Sequence, residues 1–351
     1  MIPLFKPFIP NELPLLDDIF KSGQLSHGQY SNRFEEILKH YFKQSNLIIT
    51  NSYSSAISIV ASVLGLKYGD EVILSPMACL VSTQSFASLG LKIIWADIDS
   101  KTGTLDPSSV RLKISSKTKC IVHNHFGGYS GYIDEINEIG RINSIPIIDD
   151  CIESFGSEYK GKKIGTCGTD ITIFSFSPVR IPNTIEGGAV IFKNQDQFAK
   201  SLLVRDNGID RDKFRDELGE INPSCDISTT GFTATMSNIN GYIGCLQMEH
   251  VERLINIQRN NALKWTEIIS SRKDMNPVLP INGRPNYWVF GILTKDKQKA
   301  IIEFRKQGYY ASSVHYPNNN YSIFGKNIRL KGVEEFHSNF LALPSGWWVK
   351  I

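Results

Sequence analysis

The sequence predicts an α/β protein: a three-layer αβα large domain with a mostly parallel sheet over residues 13–240, and a smaller α+β domain over 241–351 that also takes in the N-terminal arm, residues 1–12. Three observations predict it. Short apolar runs alternate with segments whose apolar residues recur at helical spacing. The apolar runs end in polar residues that could bind or catalyse, as the strands of parallel sheets do. Past residue 240 or so the alternation gives way to one long amphipathic stretch.

Each element has its own signal. LIIT, ending at Thr50, reads as a strand; NSYSS turns the chain, and SAISIVASVLGLK continues as a helix. GDEVILSP is a polar turn and a strand, VSTQSFASLG a helix, and LKIIWADID another strand. TKCIVHNHF is a strand, YIDEINEIGRIN a helix, and IPIIDD a strand that ends in two carboxylates. The interesting residues fall where such strands end: Asn51 to Ser55, Pro76 to Cys79, Asn124 to Gly128, Asp149 to Glu153, and Ser175 to Arg180. Beyond them come an amphipathic helix over 242–270, the strand-like YWVFGILT and a helix in KAIIEFRKQG.

Composition excludes several classes. The chain has 351 residues, 41% of them hydrophobic and 21% charged, ordinary values for a soluble globular protein. A net charge of +3, with no basic run interleaved with aromatics, argues against a nucleic-acid partner. No window approaches the roughly 18 apolar residues of a membrane span, and the N-terminus lacks a leader pattern, so no membrane partner is expected and the cytoplasm is the expected compartment. Six cysteines without C-x-x-C spacing suggest neither a metal site nor a disulfide framework.

Several loops taken together resemble the DegT/DnrJ/StrS family of sugar aminotransferases, pyridoxal-phosphate (PLP) enzymes of the type I, aspartate aminotransferase fold. The likeness is carried by IPLFKP, GDEVILSP, IIDDCIESFG, YKGKKIG, FSFSP followed by EGGAV, VRDNG and VHYP, in family order over nearly the whole chain. It implies a dimer acting on a nucleotide-linked sugar. It also implies roles for individual residues. Asp150 would hold the pyridine nitrogen, and Glu153, where a glutamine is usual, would lie near the phenolic oxygen, an unfavourable neighbour for a carboxylate. Ser54, Ser55 and Ser175 would contact the phosphate, with Tyr53 standing where the family has a glycine. Leu80 would occupy the place of the aromatic that stacks on the cofactor, one residue after Cys79 in place of threonine. The VHYP motif puts His315 and Tyr316 near the substrate. The segment that crosses the dimer interface reads Gly231, Phe232, Thr233, Ala234, Thr235, Met236, without the family's asparagine and arginine.

The largest departure is Arg180, at the position of the Schiff-base lysine. An amine must lose its proton to attack the cofactor aldehyde, whereas a guanidinium with a pKa above ~12 stays protonated and is a poor nucleophile. No nearby lysine substitutes: Lys162 and Lys163 lie in a glycine-flanked turn and Lys193 follows a strand. His125 is the one titratable base near a strand end in the expected cleft.

Three readings stay open at this point. The first is a nucleotide-sugar aminotransferase-like protein of deoxyamino-sugar or surface-polysaccharide biosynthesis that has lost conventional transamination, with Arg180 reaching into the vacated site to pair bidentately with Asp150 or Glu153. The second is a sugar-modifying enzyme that holds PLP or its amine form, PMP, non-covalently, using His125 or Glu153 as base and Arg180 to hold an anion. The third is a non-catalytic subunit paired with an active homologue instead of a homodimer.

Overall fold

The computed structural model describes residues 1–325 and 327–351. The strands are β1 Leu47–Thr50, β2 Glu71–Leu74, β3 Lys92–Trp95, β4 Thr118–Asn124, β5 Ile147–Asp150, β6 Glu158–Tyr159, β7 Lys162–Lys163, β8 Ile171–Ser175, β9 Gly188–Phe192, β10 Met275–Pro277, β11 Gly283–Arg284, β12 Phe290–Thr294 and β13 Phe340–Leu343. The helices are α1 Leu16–Ser22, α2 Gln29–Phe42, α3 Tyr53–Val63, α4 Leu80–Ala87, α5 Pro107–Lys113, α6 Ile133–Asn143, α7 Gln195–Arg205, α8 Arg211–Phe214, α9 Asn238–Met248, α10 Val251–Ser270, α11 Lys297–Lys306 and α12 Lys331–Asn339.

Seven strands form the main sheet in the order β1-β9-β8-β5-β4-β2-β3. The run from β8 to β3 is parallel throughout, and only β9 lies antiparallel to its two neighbours. Side chains alternate across the strands, so each strand serves two cores. Ile48, Leu74, Val122, Ile148 and Val190 pack beneath α3 with Ala56, Ile57 and Val60. On the opposite face, Leu47, Ile49 and Phe174 meet Phe34 and Leu38 of α2, while Ile73, Ile121 and Ile147 meet Ile136 and Ile139 of α6. A sheet buried on both faces accounts for strands that read as continuous apolar runs.

A second sheet, β10-β12-β13, is covered by α10 and α11 through Trp265, Ile269, Ala300 and Phe304. The N-terminal arm joins this part of the chain through a bridge between Ile2 and Tyr309. The single long helix expected over 242–270 is two helices. The chain breaks at Glu249 and His250: α9 lies on α2, where a Cβ at Gly244 would stand 2.8 Å from Phe34, and α10 starts in the same core through Val251 and Ile255 and carries on to the second sheet through Ala262, Trp265 and Ile269.

Candidate functional site

The alternation along β5 separates its two terminal acids. Asp149 shares a face with His123, its register partner, and Asp150 shares the opposite face with Asn124. The acids therefore enter unrelated environments.

Asp150 points at the first turn of α3. Ser52 caps that helix by accepting from Ser55 N, and this places Tyr53 at the first helical position with its ring in the core, 5% exposed. The Tyr53 hydroxyl donates to Asp150 Oδ1 at 2.6 Å and lies 3.0 Å from Ser82 Oγ, while Ile152 N–H donates to the same carboxylate oxygen at 3.1 Å. Asp150 Oδ2 is buried without a partner among the described residues. Burial pushes the Asp150 carboxyl above its ordinary range; the Tyr53 and Ser82 hydroxyls and the Ile152 amide oppose this, and Glu153 adds to it. Burial likewise pushes the Tyr53 phenol well up, and Asp150 reinforces it, so the phenol stays a donor. Tyr53→Phe is expected to lower stability by about 1–3 kcal/mol in urea unfolding, because it removes the shorter of the two hydrogen bonds to buried Asp150 Oδ1 and leaves only the Ile152 amide. A change within a few tenths would mean that Asp150 does not depend on Tyr53.

Glu153 is held by three elements. The HNHFGG turn puts Gly127 at φ 67, a left-handed conformation that glycine adopts freely, and aims its N–H at Glu153 Oε2 at 2.7 Å. His315 Nε2 meets Oε1 at 2.6 Å, and Asn286 Nδ2 donates to the Glu153 carbonyl at 2.9 Å. Burial would raise the Glu153 carboxyl, but His315 first, then Arg180 and the Gly127 amide, outweigh it and hold it below the ordinary range.

Arg180 is buried, 6% exposed, with Nη1 4.0 Å from Glu153 Oε1. The expected bidentate pair with Asp150 or Glu153 is not formed. Both Glu153 oxygens already accept from His315 and Gly127, and Asp150 accepts from Tyr53. The guanidinium instead lies over the Trp288 indole, Cζ 4.2 Å from the ring centroid. The indole is stacked against Phe5 at 4.3 Å and donates from Nε1 to Val179 O at 2.9 Å. Arg180 Nε and Nη1 make no hydrogen bond among the described residues.

The remaining expected residues divide. His315 joins the centre through Glu153, whereas Tyr316 is 50% exposed and packs edge-on to Tyr321 and His337. Ser175 is buried and its Oγ accepts from Ser177 N at 3.4 Å. Ser54 lies on the outer side of α3 and accepts from the Ser85 hydroxyl at 3.1 Å, while Ser55 shares a hydrogen bond with Ser52. Leu80 opens α4, 39% exposed, and the preceding loop is clamped by Asn318, which donates to Ala78 O and Thr83 Oγ1 and whose N–H reaches Pro76 O. Lys162 and Lys193 are exposed, and Lys163 is engaged by Glu252 and the Tyr41 ring. Trp288 lies in the strand-like YWVFGILT and Phe5 in the IPLFKP motif, without a site role read for either, and Asn286 carries no signal; the fold brings them here.

His125 turns to the other face. Its Nε2 is 3.4 Å from Asp149 Oδ1, and His123 Nδ1 is 3.1 Å from the same oxygen. His125, the base expected in the cleft, thus faces Asp149 and makes no contact with Glu153 or Arg180 in the hydrogen-bond network. Two histidines and a buried carboxylate form a metal-like trio, but the tautomers oppose it. Gly131 N–H donates to His125 Nδ1 at 3.1 Å, which leaves the proton on Nε2, the atom that would have to ligate. His123 Nε2 faces Gly131, where a Cβ would stand 2.1 Å away. Burial would raise Asp149, yet the two imidazoles hold it well below the ordinary range, and burial keeps His123 low and neutral.

Comparisons agree with this architecture. The family model of the DegT/DnrJ/EryC1/StrS aminotransferases matches residues 9–348. A Campylobacter jejuni protein named UDP-4-amino-4,6-dideoxy-N-acetyl-beta-L-altrosamine transaminase is 26% identical over 354 residues, covering 95% of this chain and 89% of that one. Among solved structures, the sugar aminotransferase CalS13 of Micromonospora echinospora superposes with a TM-score of 0.92 at 22% identity, over 100% of this chain and 96% of that one. The putative sugar aminotransferase Spr1654 of Streptococcus pneumoniae, solved in a PMP-form, gives 0.88 at 20% identity, over 99% and 94%. With a family match that spans nearly all of its length and a fold shared with solved sugar aminotransferases, the chain belongs to the DegT/DnrJ/EryC1/StrS aminotransferase family.

Proposed function

We propose that this chain serves deoxyamino-sugar or surface-polysaccharide biosynthesis, takes a nucleotide-linked sugar, and does not carry out lysine-dependent transamination. The observation that carries this reading is the Tyr53 hydroxyl on Asp150 at 2.6 Å. The aspartate of a PLP site must be ionised and free to accept the pyridinium N–H, which is what makes the ring an electron sink. Here a phenol from the chain itself already donates to Oδ1, leaving only Oδ2 without a partner among the described residues, and burial biases the acid toward its neutral form.

The other residues point the same way. Arg180 lacks a deprotonatable amine, Glu153 would set a carboxylate beside a phenolate, and Leu80 offers no ring to stack. These side chains do not fit a Schiff-base-linked pyridoxal phosphate, and any PLP or PMP held here would be held non-covalently. The name of the Campylobacter jejuni relative supports a sugar-nucleotide ligand. A two-chain assembly belongs to the same reading: Ile227 and Phe232, in and beside the segment assigned to the dimer interface, are 44% and 40% exposed.

Titration of the purified protein with millimolar PLP tests the proposal. The expected result, after free PLP is removed by desalting, is no protein-bound absorbance band and no single-site stoichiometric mass increment after borohydride reduction. A protein-retained PLP band, or appearance of such a band when PMP-loaded protein meets a UDP-linked keto-sugar, would overturn it.

A further inference from the structure

We propose that His315 is a catalytic base, oriented by Glu153, and that it enolises a keto-sugar at the carbon next to its carbonyl. The sugar rests on the function proposed above; the base rests on the geometry of His315 itself.

The imidazole has one nitrogen committed and one free. Nε2 lies 2.6 Å from Glu153 Oε1, and burial would raise that carboxyl, yet His315, then Arg180 and the Gly127 amide, hold it ionised. The carboxylate can only accept, so Nε2 carries the proton and Nδ1 is the nitrogen that takes one up and gives it back. Nδ1 has no hydrogen-bond partner among the described residues and is not one of the buried unpaired atoms, so it meets solvent although the side chain is only 13% exposed. Trp288, near-parallel at 18° and 6.3 Å, and Phe126, edge-on at 5.9 Å, set the ring plane. The backbone that carries the ring is strained. His315 N–H donates to Ser313 O at 2.7 Å across Val314 at φ 63, a tight turn in a conformation that a β-branched residue avoids. Such strain gathers where a side chain is held at a working angle. A cavity of about 360 Å³, lined by Phe5, Tyr310, Ser312 and Val314 among others, opens beside this turn and has the size of a small-molecule site.

The ring has no nucleophile of its own to activate. No hydroxyl or thiol of the described residues bonds Nδ1, so the proton it takes must come from the ligand or its water. A keto-sugar offers a C–H made acidic by the adjoining carbonyl, and the step needs no other reagent. That C–H bond breaks, its proton passes to Nδ1, its electron pair forms a C=C bond, and the carbonyl π pair moves onto oxygen. Return of a proton from Nδ1 restores the ketone, as the same sugar or its epimer. Glu153 and Arg180 act through His315 as positioning residues: the carboxylate fixes the tautomer and steadies the imidazolium, and the guanidinium, 4.0 Å from it, helps to keep it ionised.

The test places the desalted full chain in D2O with UDP-linked 4-keto-6-deoxy-N-acetylglucosamine and follows deuterium in the sugar by mass spectrometry, with binding read separately by calorimetry. Uptake about 10²-fold or more above the buffer rate is expected, the lower range for a positioned general base. H315Q is expected to abolish the excess. E153Q is expected to slow it about tenfold or more while sugar affinity stays within about twofold, a split that a merely structural role would not give. The unaltered protein compared with buffer decides the matter even if H315Q folds poorly. Sugar that binds without exchange would overturn the base and leave the nucleotide-sugar reading standing, whereas no binding would overturn both. Uptake retained in a folded H315Q, or release of UDP in place of exchange, would each overturn the proposal. Full uptake in E153Q, or equal loss of binding and uptake, would overturn the part given to Glu153.

Discussion

Glu153→Leu is expected to lower the unfolding free energy at neutral pH by about 3–5 kcal/mol, the range for removing one partner from a buried charged group. Glu153 is the carboxylate nearest Arg180 and the partner of His315, all three are largely buried, and leucine keeps most of the volume while removing both interactions. The Gly127 amide also loses its acceptor. Urea unfolding measures the effect, and a loss below about 1 kcal/mol, the level of an exposed pair, would mean that the guanidinium has another counter-charge.

Acidification distinguishes this from a packing defect. The folded Glu153 carboxyl lies below the ordinary range, with burial opposing and His315 and Arg180 prevailing. Its contribution is therefore fully present above the ordinary carboxyl range and is lost as pH falls through that range toward the folded value. The gap between Glu153→Leu and the unaltered protein should be widest near neutrality and narrow in acid. A gap that does not change with pH would assign the loss to packing alone.

Arg205→Met is expected to cost a similar amount, about 3–5 kcal/mol, for a different reason. β1 is an edge strand, and its outward backbone groups are closed by side chains in place of a further strand. Glu35 Oε2 accepts from Ile49 N at 3.1 Å, and Arg205 Nη1 donates to Ile49 O at 3.2 Å and to Glu35 Oε2 at 2.6 Å. Methionine would leave a buried carboxylate and an edge carbonyl behind. Lys39 Nζ, 3.1 Å from Glu35 Oε1, softens the loss, so the lower end of the range is expected. Unchanged urea stability and no gain in self-association would show that the edge does not need this cap.

Much of the architecture is legible in the chain because its signals are local. Apolar runs such as LIIT and IPIIDD, the Ser52 cap and the helical spacing that follows it depend on neighbours a few residues away, and β1, β5 and α3 lie where they indicate. The helix that periodicity indicates over 242–270 divides in two for the converse reason. Periodicity continues through Glu249 and His250, and the break there lets one chain serve both the core on α2 and, from Ala262 onward, the second sheet.

The candidate site divides along the same line. Residue types are a property of the sequence: an arginine in FSFSPVR cannot act as an amine wherever it points, and Asp150, Glu153 and Ser175 stand at strand ends because strands end there. Partner choice is not. Which face of β5 each acid occupies sends Asp149 to His123 and His125 and Asp150 to Tyr53, and the meeting of Glu153 with His315, 162 residues away, answers to no local pattern. Arg180, expected to form a bidentate pair with an acid, lies on Trp288 with Glu153 4.0 Å from Nη1, while Gly127 and His315 hydrogen-bond that carboxylate. Chemistry that belongs to a side chain alone can be read from its identity, but a buried charge is settled by long-range competition for partners, and that competition exists only once the chain has folded.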